Sequence, residues 1–338
     1  MKALALLSGG LDSMLAAKLI QEQGIEVIGV AFTSPFFGPD KARRAAEWLG
    51  IPLHVVDITE DLIPILVRPK YGYGRNMNPC IDCHALMVRK AGELMKELGA
   101  SFLITGEVLG ERPKSQNAAA LRIVARDSGL EGYLLRPLSA KLLPPTVPEE
   151  KGWVDRERLL DIQGRSRKPQ MALAEKYGLK DYPSPAGGCL LTDPGLSRRL
   201  KELLAENPAP EPRDLELLKY GRHFKSPEGA HIVVARQKEE NEPLVALARP
   251  GDYLVRLKGL PGPRTLVRGA KNGADSLRLA AALTIRYSKA RGLDRAAVLV
   301  EQVGQGGPRE LSLERAEVAD LIGRARPVGG EAAPAPTA

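Results

Sequence analysis

Short apolar runs alternate with longer segments of helical periodicity through the first half of the chain. That order builds a parallel sheet covered by helices on both faces. Residues 3–7 predict a buried strand, 12–23 a helix and 26–32 the next strand. A helix over 42–49 is closed by Gly50, a third strand follows at 53–57, a long helix over 86–98 is closed by Gly99, and 102–105 is the fourth strand. Glycine after the last helical residue supplies the left-handed cap that such ends need. Open sheets of this kind bind ligands beyond the carboxyl ends of their strands, so the loops after Leu7, Phe32 and Thr105 are expected to converge on one crevice.

The run Asn207-Pro208-Ala209-Pro210-Glu211-Pro212 cannot continue a helix and marks the expected boundary between a first domain over 1–206 and a second over 213–328. Beyond it, 231–235, 253–257 and 265–267 predict strands, 275–291 a long helix, and 297–303 a further strand. The expected fold class is thus α/β, a doubly wound parallel sheet with a second, smaller α+β domain. Residues 329–338, rich in Ala and Pro and without pattern, are expected to be a disordered tail.

A length of 338 residues allows two cores, and 4% aromatic content requires them to be aliphatic. The net charge of +8, from 49 Lys and Arg against 41 Asp and Glu, suits a polyanionic partner without demanding one. No run approaches the roughly 20 apolar residues that span a bilayer. The first residues lack a signal peptide's cleavage region, so no membrane partner and a cytoplasmic location are expected.

Chemistry concentrates first in Ser8-Gly9-Gly10-Leu11-Asp12-Ser13, between the first strand and the first helix. Two glycines let the backbone pass close to an anion, and the helix start offers unpaired N–H groups and its positive dipole end. Ser8 and Ser13 add hydroxyl donors. A carboxylate at Asp12 beside phosphates makes sense if it holds Mg²⁺. The hexapeptide resembles the SGGxDS loop of the PP-loop ATP pyrophosphatases, which cleave ATP between the α and β phosphates.

The second concentration is sulfur. Asn78-Pro79-Cys80-Ile81-Asp82-Cys83-His84 sets two thiols three residues apart, and Gly187-Gly188-Cys189 supplies the third of only three cysteines. An odd count in a reducing compartment argues against a disulfide framework. Cys80, Cys83 and Cys189 would leave one position open on a [4Fe–4S] cluster, the preferred reading. Zinc completed by His84 or water, a persulfide relay between Cys83 and Cys189, and inert buried thiols stay open beside it.

Thr105-Gly106-Glu107-Val108-Leu109-Gly110, then Ser115-Gln116 and Leu135-Arg136-Pro137-Leu138, are similar to segments of the ThiI-type 4-thiouridine synthetases. Gly74-Arg75-Asn76-Met77-Asn78-Pro79-Cys80 with Cys83 resembles the MnmA-type 2-thiouridylases. These likenesses cover roughly residues 1–195. They imply an ATP-dependent tRNA sulfurtransferase that adenylates a uridine carbonyl and replaces its oxygen by sulfur. Cysteine-triad relatives carry an iron–sulfur cluster on a CxxC and a distant Cys, which strengthens that reading. The expected product is 4-thiouridine, with 2-thiouridine through a persulfide relay, or sulfur transfer to a small molecule, as alternatives. ATP and Mg²⁺ are the expected cofactors, held by Ser8, Gly9, Gly10, Asp12, Ser13, Phe32, Gly106, Lys114 and Gln116. Sulfide or a cysteine desulfurase is the expected sulfur donor; the oligomeric state, including a homodimer, stays open.

In the second domain, Tyr220-Gly221-Arg222-His223-Phe224, residues 232–236, Gly259-Leu260-Pro261-Gly262-Pro263 and Tyr287-Ser288-Lys289-Ala290-Arg291 look like the RNA-binding module of the NFACT proteins. Arg222, Arg236, Lys258, Arg264, Arg268, Lys271, Lys289 and Arg291 are the expected phosphate-facing set. Arg156, Arg158, Arg165, Arg167 and Lys168 form a second basic cluster, expected to hold acceptor RNA near the crevice.

Overall fold

Apolar strand segments buried on both faces can pair in parallel only when helices cover them. In the computed structural model, which describes residues 1–182, 189–270 and 273–329, they do so in the first of two compact units, Met1–Thr192 and Asp193–Ala338. The first unit contains, in chain order, β1 (Lys2–Leu6), α1 (Leu11–Gln21), β2 (Glu26–Thr33), α2 (Asp40–Leu49), β3 (Leu53–Asp57), α3 (Thr59–Val67), α4 (Cys80–Glu97), β4 (Phe102–Ile104), α5 (Ala118–Asp127), β5 (Leu134–Leu135), α6 (Val147–Glu150) and α7 (Lys168–Lys176). The sheet order is β3-β2-β1-β4-β5, and each pairing is parallel. Strand order reverses at β1, which pairs with β2 on one side and β4 on the other. The switch point of the sheet is therefore the gap between the loops leaving β1 and β4, where an open α/β sheet receives its ligand.

Gly50 and Gly99 take φ of +65° and +64° and cap α2 and the end of α4 in the left-handed region. The start of α4 departs from expectation by six residues, because Ile81, Cys83, Ala85, Leu86 and Val88 bury into the unit and draw the CxxC segment into the helix. α3 and α5 were not foreseen. The first carries Pro64 within it, and the second is capped by Asn117, whose side chain accepts the Ala120 N–H at 2.9 Å.

The second unit runs α8 (Pro194–Glu206), α9 (Pro212–Leu217), β6 (Arg222–Lys225), β7 (His231–Val234), α10 (Asn241–Ala246), β8 (Tyr253–Leu257), β9 (Thr265–Arg268), α11 (Ala274–Arg286), β10 (Arg295–Gln302), β11 (Gln305–Glu314), α12 (Arg315–Gly323) and β12 (Arg326–Pro327). Its sheet, β11-β10-β8-β9-β7-β6-β12, is antiparallel throughout, and α11 buries Leu277, Leu279 and residues 280–283 against it. The helix expected over 275–291 stops at Arg286. Ser288 then accepts the Ala290 N–H at 3.0 Å and opens a separate 3₁₀ turn, Lys289–Gly292. No described helix is long and apolar enough to cross a membrane.

Inside this unit His223 and His231 are hydrogen-bonded, Nδ1 to Nε2, at 2.9 Å, while His223 Nε2 lies 2.7 Å from the Tyr220 carbonyl. His223 Nε2 therefore donates to the carbonyl and its Nδ1 accepts from His231, an arrangement that requires His223 to be neutral. Burial, then neighbouring cations, pushes His231 down to about 3, and burial, then His231, lowers His223 well below the ordinary range. Stability from a histidine buried neutral is complete above its ordinary pKa and is lost as pH falls toward the folded value. Roughly 1.4 kcal/mol per pH unit per histidine is expected below about pH 6.5. Hydrogen–deuterium exchange in β6 and β7, corrected for intrinsic rate, should show weaker protection at pH 5.5 than at 7.5; equal protection contradicts the neutral pair.

Candidate active site

The glycine turn follows β1 directly. Gly9 has φ +73°, and a Cβ there would lie 2.3 Å from the backbone carbon of Lys41, so the packing of α2 requires glycine independently of any anion. Gly10 is the extended N-cap of α1, and no side chain caps the helix, which leaves first-turn N–H groups directed outward. Ser13 donates to the Gly10 carbonyl at 2.8 Å, and Ser8 reaches the Ser13 hydroxyl at 3.3 Å. From β4, Gly106 lies flat on this helix start. A Cβ on Gly106 would sit 2.4 Å from the Ser13 nitrogen and 2.5 Å from the Asp12 carbonyl carbon. The loops after β1 and β4 thus meet, as expected.

Asp12 Oδ1 is buried with no hydrogen-bond partner. Burial raises the Asp12 carboxyl, opposed chiefly by Arg167 and more weakly by Gln170 and Arg112. Glu111 is raised by burial and then by Asp12, with Arg112 and Arg167 pulling it down. Two carboxylates and two guanidiniums therefore act on one another at this turn. Beside Asp12 the amide of Gln170 is fully buried, its polar neighbour being the Asp12 carboxyl that it helps to lower, and Gln116 Oε1 is buried and unpartnered. Buried polar groups are ordinarily satisfied, so these orphans fit a polar ligand completing the site. The buried carboxylate oxygen of Asp12 is a hard donor of the kind Mg²⁺ takes, and the uncapped turn suits the phosphates of ATP.

Arg167, expected in an RNA-holding cluster, acts on Asp12 instead, and Glu111, Arg112 and Gln170 join it there without a local sequence signal. Arg156 instead pairs with Glu149 and the Leu143 carbonyl, and Arg158 donates to the Glu22 carbonyl. Arg165 and Lys168 are exposed. Phe32 is buried near the end of β2, opposite Val56. Lys114 is exposed and donates to the Tyr71 carbonyl at 3.1 Å, whereas Ser115 is buried.

The strings Thr105-Gly106-Glu107 and Leu135-Arg136 around β4 and β5 resolve into one buried network. Glu107 accepts from Arg136 Nε at 2.9 Å and from Thr105 at 3.2 Å, and lies 3.0 Å from His84 Nδ1; Arg136 also donates to the Leu121 carbonyl. Burial alone would raise Glu107, but Arg136 and His84 hold it well below the carboxylate range.

Cys80 opens α4, and Cys83 follows one turn later on a neighbouring position. Between them Asp82 accepts the N–H groups of Lys70 and Tyr71 at 2.9 and 3.1 Å and fixes the preceding loop. The Asn78 amide donates to Cys80 Sγ at 3.2 Å. Asn76 donates to the Thr192 carbonyl at 2.6 Å, and Thr192 donates to the Cys189 carbonyl at 2.7 Å, so the CxxC turn carries the Cys189 segment. Gly187 and Gly188 lie outside the described residues. Burial, then Cys189, Cys80 and Asp82, pushes the Cys83 thiol up. The Cys189 thiol is pushed up to about 11 by burial, with the Leu191 backbone and Arg112 acting the other way. Cys189, far away in sequence, thus shares one neighbourhood with Cys80 and Cys83, and Arg112 acts on both Asp12 and Cys189.

Among the described residues no group of three or more His, Cys, Asp or Glu is arranged to hold a metal ion. His84 has its Nδ1 engaged by Glu107. A ligand set for a [4Fe–4S] cluster or for zinc is therefore not defined among the described residues.

In the second unit a groove of about 1100 Å³ is lined by Arg222, Arg236, Arg264, Lys289 and Arg291 of the expected phosphate-facing set, with no acidic residue among the described residues of its walls. Lys238, Arg256 and Arg286 join them. Arg264 is held below its ordinary range by burial and then by Arg256, a like-charge crowding that a polyanion would relieve. Lys258 and Arg268 do not take part: Lys258 pairs with Glu310 at 2.5 Å, and Arg268 is bound by Asp214 and Asp252 at 3.0 and 2.9 Å. Lys271 lies outside the described residues.

These two sites define a PP-loop adenylation-type unit of the ThiI and MnmA kind, joined to a distinct RNA-binding-type α+β unit. Family comparison agrees: residues 1–141 match the thiamine biosynthesis protein (ThiI) family, and residues 221–321 match the NFACT protein RNA binding domain. The tRNA-specific 2-thiouridylase MnmA of Pelobacter propionicus is 32% identical over 162 residues, 44% of each chain. That of Thermus thermophilus is 28% identical over 269 residues, 70% of this chain and 66% of the relative. The chain therefore spans less than half of the first relative's length and just under two thirds of the second's. A crystal structure of a 4-thiouridine synthetase–RNA complex with bound ATP aligns over 40% of this chain and 36% of that one, at 26% identity and a TM-score of 0.32.

Proposed function

We propose that this chain is an ATP-dependent tRNA sulfurtransferase that forms 2-thiouridine through a persulfide relay between Cys189 and Cys83. The observation that carries the reading is the convergence, through Arg112, of an uncapped glycine turn with an orphaned Asp12 carboxylate and a neighbourhood of three thiols. ATP would be held by the turn at residues 8–13, with Mg²⁺ at Asp12 offsetting charge on the leaving pyrophosphate. The uridine oxygen attacks the α-phosphate and becomes part of AMP, a good leaving group.

Cys189 is the more accessible thiol and the one beside Arg112, so it receives the sulfane sulfur from a persulfide donor. Its terminal sulfur attacks the activated carbon, and AMP departs. Cys83 then attacks the Cys189 sulfur of the adduct, releasing the thiocarbonyl and leaving a Cys83–Cys189 disulfide. The two electrons lost by the thiols are those gained by the sulfane sulfur, and a dithiol reductant resets the pair. The 2-thiouridylase relatives favour this product over 4-thiouridine, and the cationic groove of the second unit supplies a grip on RNA.

Incubation of the full chain with ATP, tRNA transcripts and a persulfidated cysteine desulfurase tests the reading. The expected result is AMP and pyrophosphate release dependent on tRNA, with 2-thiouridine found by nucleoside mass spectrometry. 4-Thiouridine in its place overturns the position assigned, and ATP cleavage indifferent to tRNA overturns the reaction class.

A further inference from the structure

The groove of the second unit holds one cation unlike the others. Arg222 lies with its guanidinium carbon 4.5 Å from the Tyr287 ring centre, over the ring face. Tyr287 is itself stacked against the buried Phe224, with centroids 6.0 Å apart and planes 28° from parallel. Among the described residues the Arg222 side chain makes no hydrogen bond or ion pair, and the Tyr287 ring is the contact that supports it. Arg236, by contrast, is engaged by Glu240 and the Lys219 carbonyl. Both Arg222 and Tyr287 line the groove, and so does Leu260, an apolar side chain left 45% exposed among cations.

A channel that met only phosphates would need charge, with no flat support and no exposed leucine. A guanidinium seated over a tyrosine ring leaves its outer side open to a further flat group. Nucleobases stack on arginine planes as they do on aromatic rings, but only when unpaired and splayed from a helix. We infer that Arg222, braced by Tyr287, is a stacking platform for one unpaired RNA base, with Leu260 offering apolar contact and Arg264, Lys289 and Arg291 holding the flanking phosphates. The groove then selects single-stranded or looped RNA over continuous duplex. This inference rests on the RNA reading of the second unit.

Fluorescence titration of the full chain with a short single-stranded oligoribonucleotide containing 2-aminopurine, and with a blunt RNA hairpin of equal length, separates the two. The wild type should quench 2-aminopurine and bind the single strand about tenfold more tightly than the hairpin, as one stacked base provides. Arg222→Lys keeps the charge but not the plane. It should lose the quenching and about tenfold in single-strand affinity, with the salt slope and hairpin binding unmoved. Arg264→Ala should instead reduce the salt slope for both probes. Quenching and single-strand affinity unchanged in Arg222→Lys overturn the platform while leaving the RNA reading intact. A wild type that binds neither probe overturns the RNA reading and the platform with it.

Discussion

Cys83→Ala and Cys189→Ala are each expected to lower tRNA thiolation on the order of 10³-fold or more while retaining single-turnover pyrophosphate release. The separation follows from the order of bonds: pyrophosphate leaves when the uridine oxygen is adenylated, before any sulfur moves, whereas AMP leaves only when sulfur arrives. Asp12→Ala should give the complementary result, with pyrophosphate release lowered about 10²- to 10³-fold and persulfide loading of Cys189 unchanged by mass spectrometry. The decisive member is Cys80→Ala. A relay uses two thiols, and Cys80 makes no step in it, so most activity should remain. A metal cluster on Cys80, Cys83 and Cys189 would need all three. Loss of activity in Cys80→Ala accompanied by loss of bound iron from anaerobically purified protein would refute the relay and restore the cluster.

β1 and the start of α1 were legible because a continuous apolar run ends in two glycines, Gly9 turned to positive φ with no room for a Cβ beside Lys41 and Gly10 opening the helix uncapped. The meeting of the β1 and β4 loops followed from strand order alone. What the sequence hid is long-range. Nothing local marks Gln170 or Arg167 as neighbours of Asp12; α7 brings them there by packing on α1. β11 was invisible because its residues are mostly exposed and lack alternation, with Pro308 tolerated on an edge strand that pairs only with β10. Counting basic residues also misled: Arg268 and Lys258 are neutralised by carboxylates that lie far away in the chain, and Arg256 was missed because it sits inside a strand.

Arg136→Met should cost about 3–5 kcal/mol of stability, because it leaves the Glu107 carboxylate buried without its main counter-charge. His84 and Thr105 remain within reach of Glu107, yet only one of them is cationic, and only when protonated. Glu107→Gln should be milder, since it removes the charge but keeps an oxygen for Arg136. Double replacement, Glu107→Leu with Arg136→Met, should recover much of the loss, because two apolar groups of similar volume impose no desolvation penalty. Denaturant titration at pH 7.5 measures all three, and an Arg136→Met variant as stable as the wild type would remove the pair from the account. Its pH dependence has a definite sign. The folded Glu107 carboxyl lies below its ordinary value, so its contribution is present above about pH 4.5 and declines only as pH falls toward the folded value. The consequence reaches the chemistry through Gly106. The residue next to Glu107 lies against Asp12 and Ser13 with no room for a Cβ, so a loosened Glu107–Arg136 pair releases the surface that positions the phosphate turn. Arg136→Met should therefore raise the ATP requirement for pyrophosphate release even at temperatures where the chain remains folded.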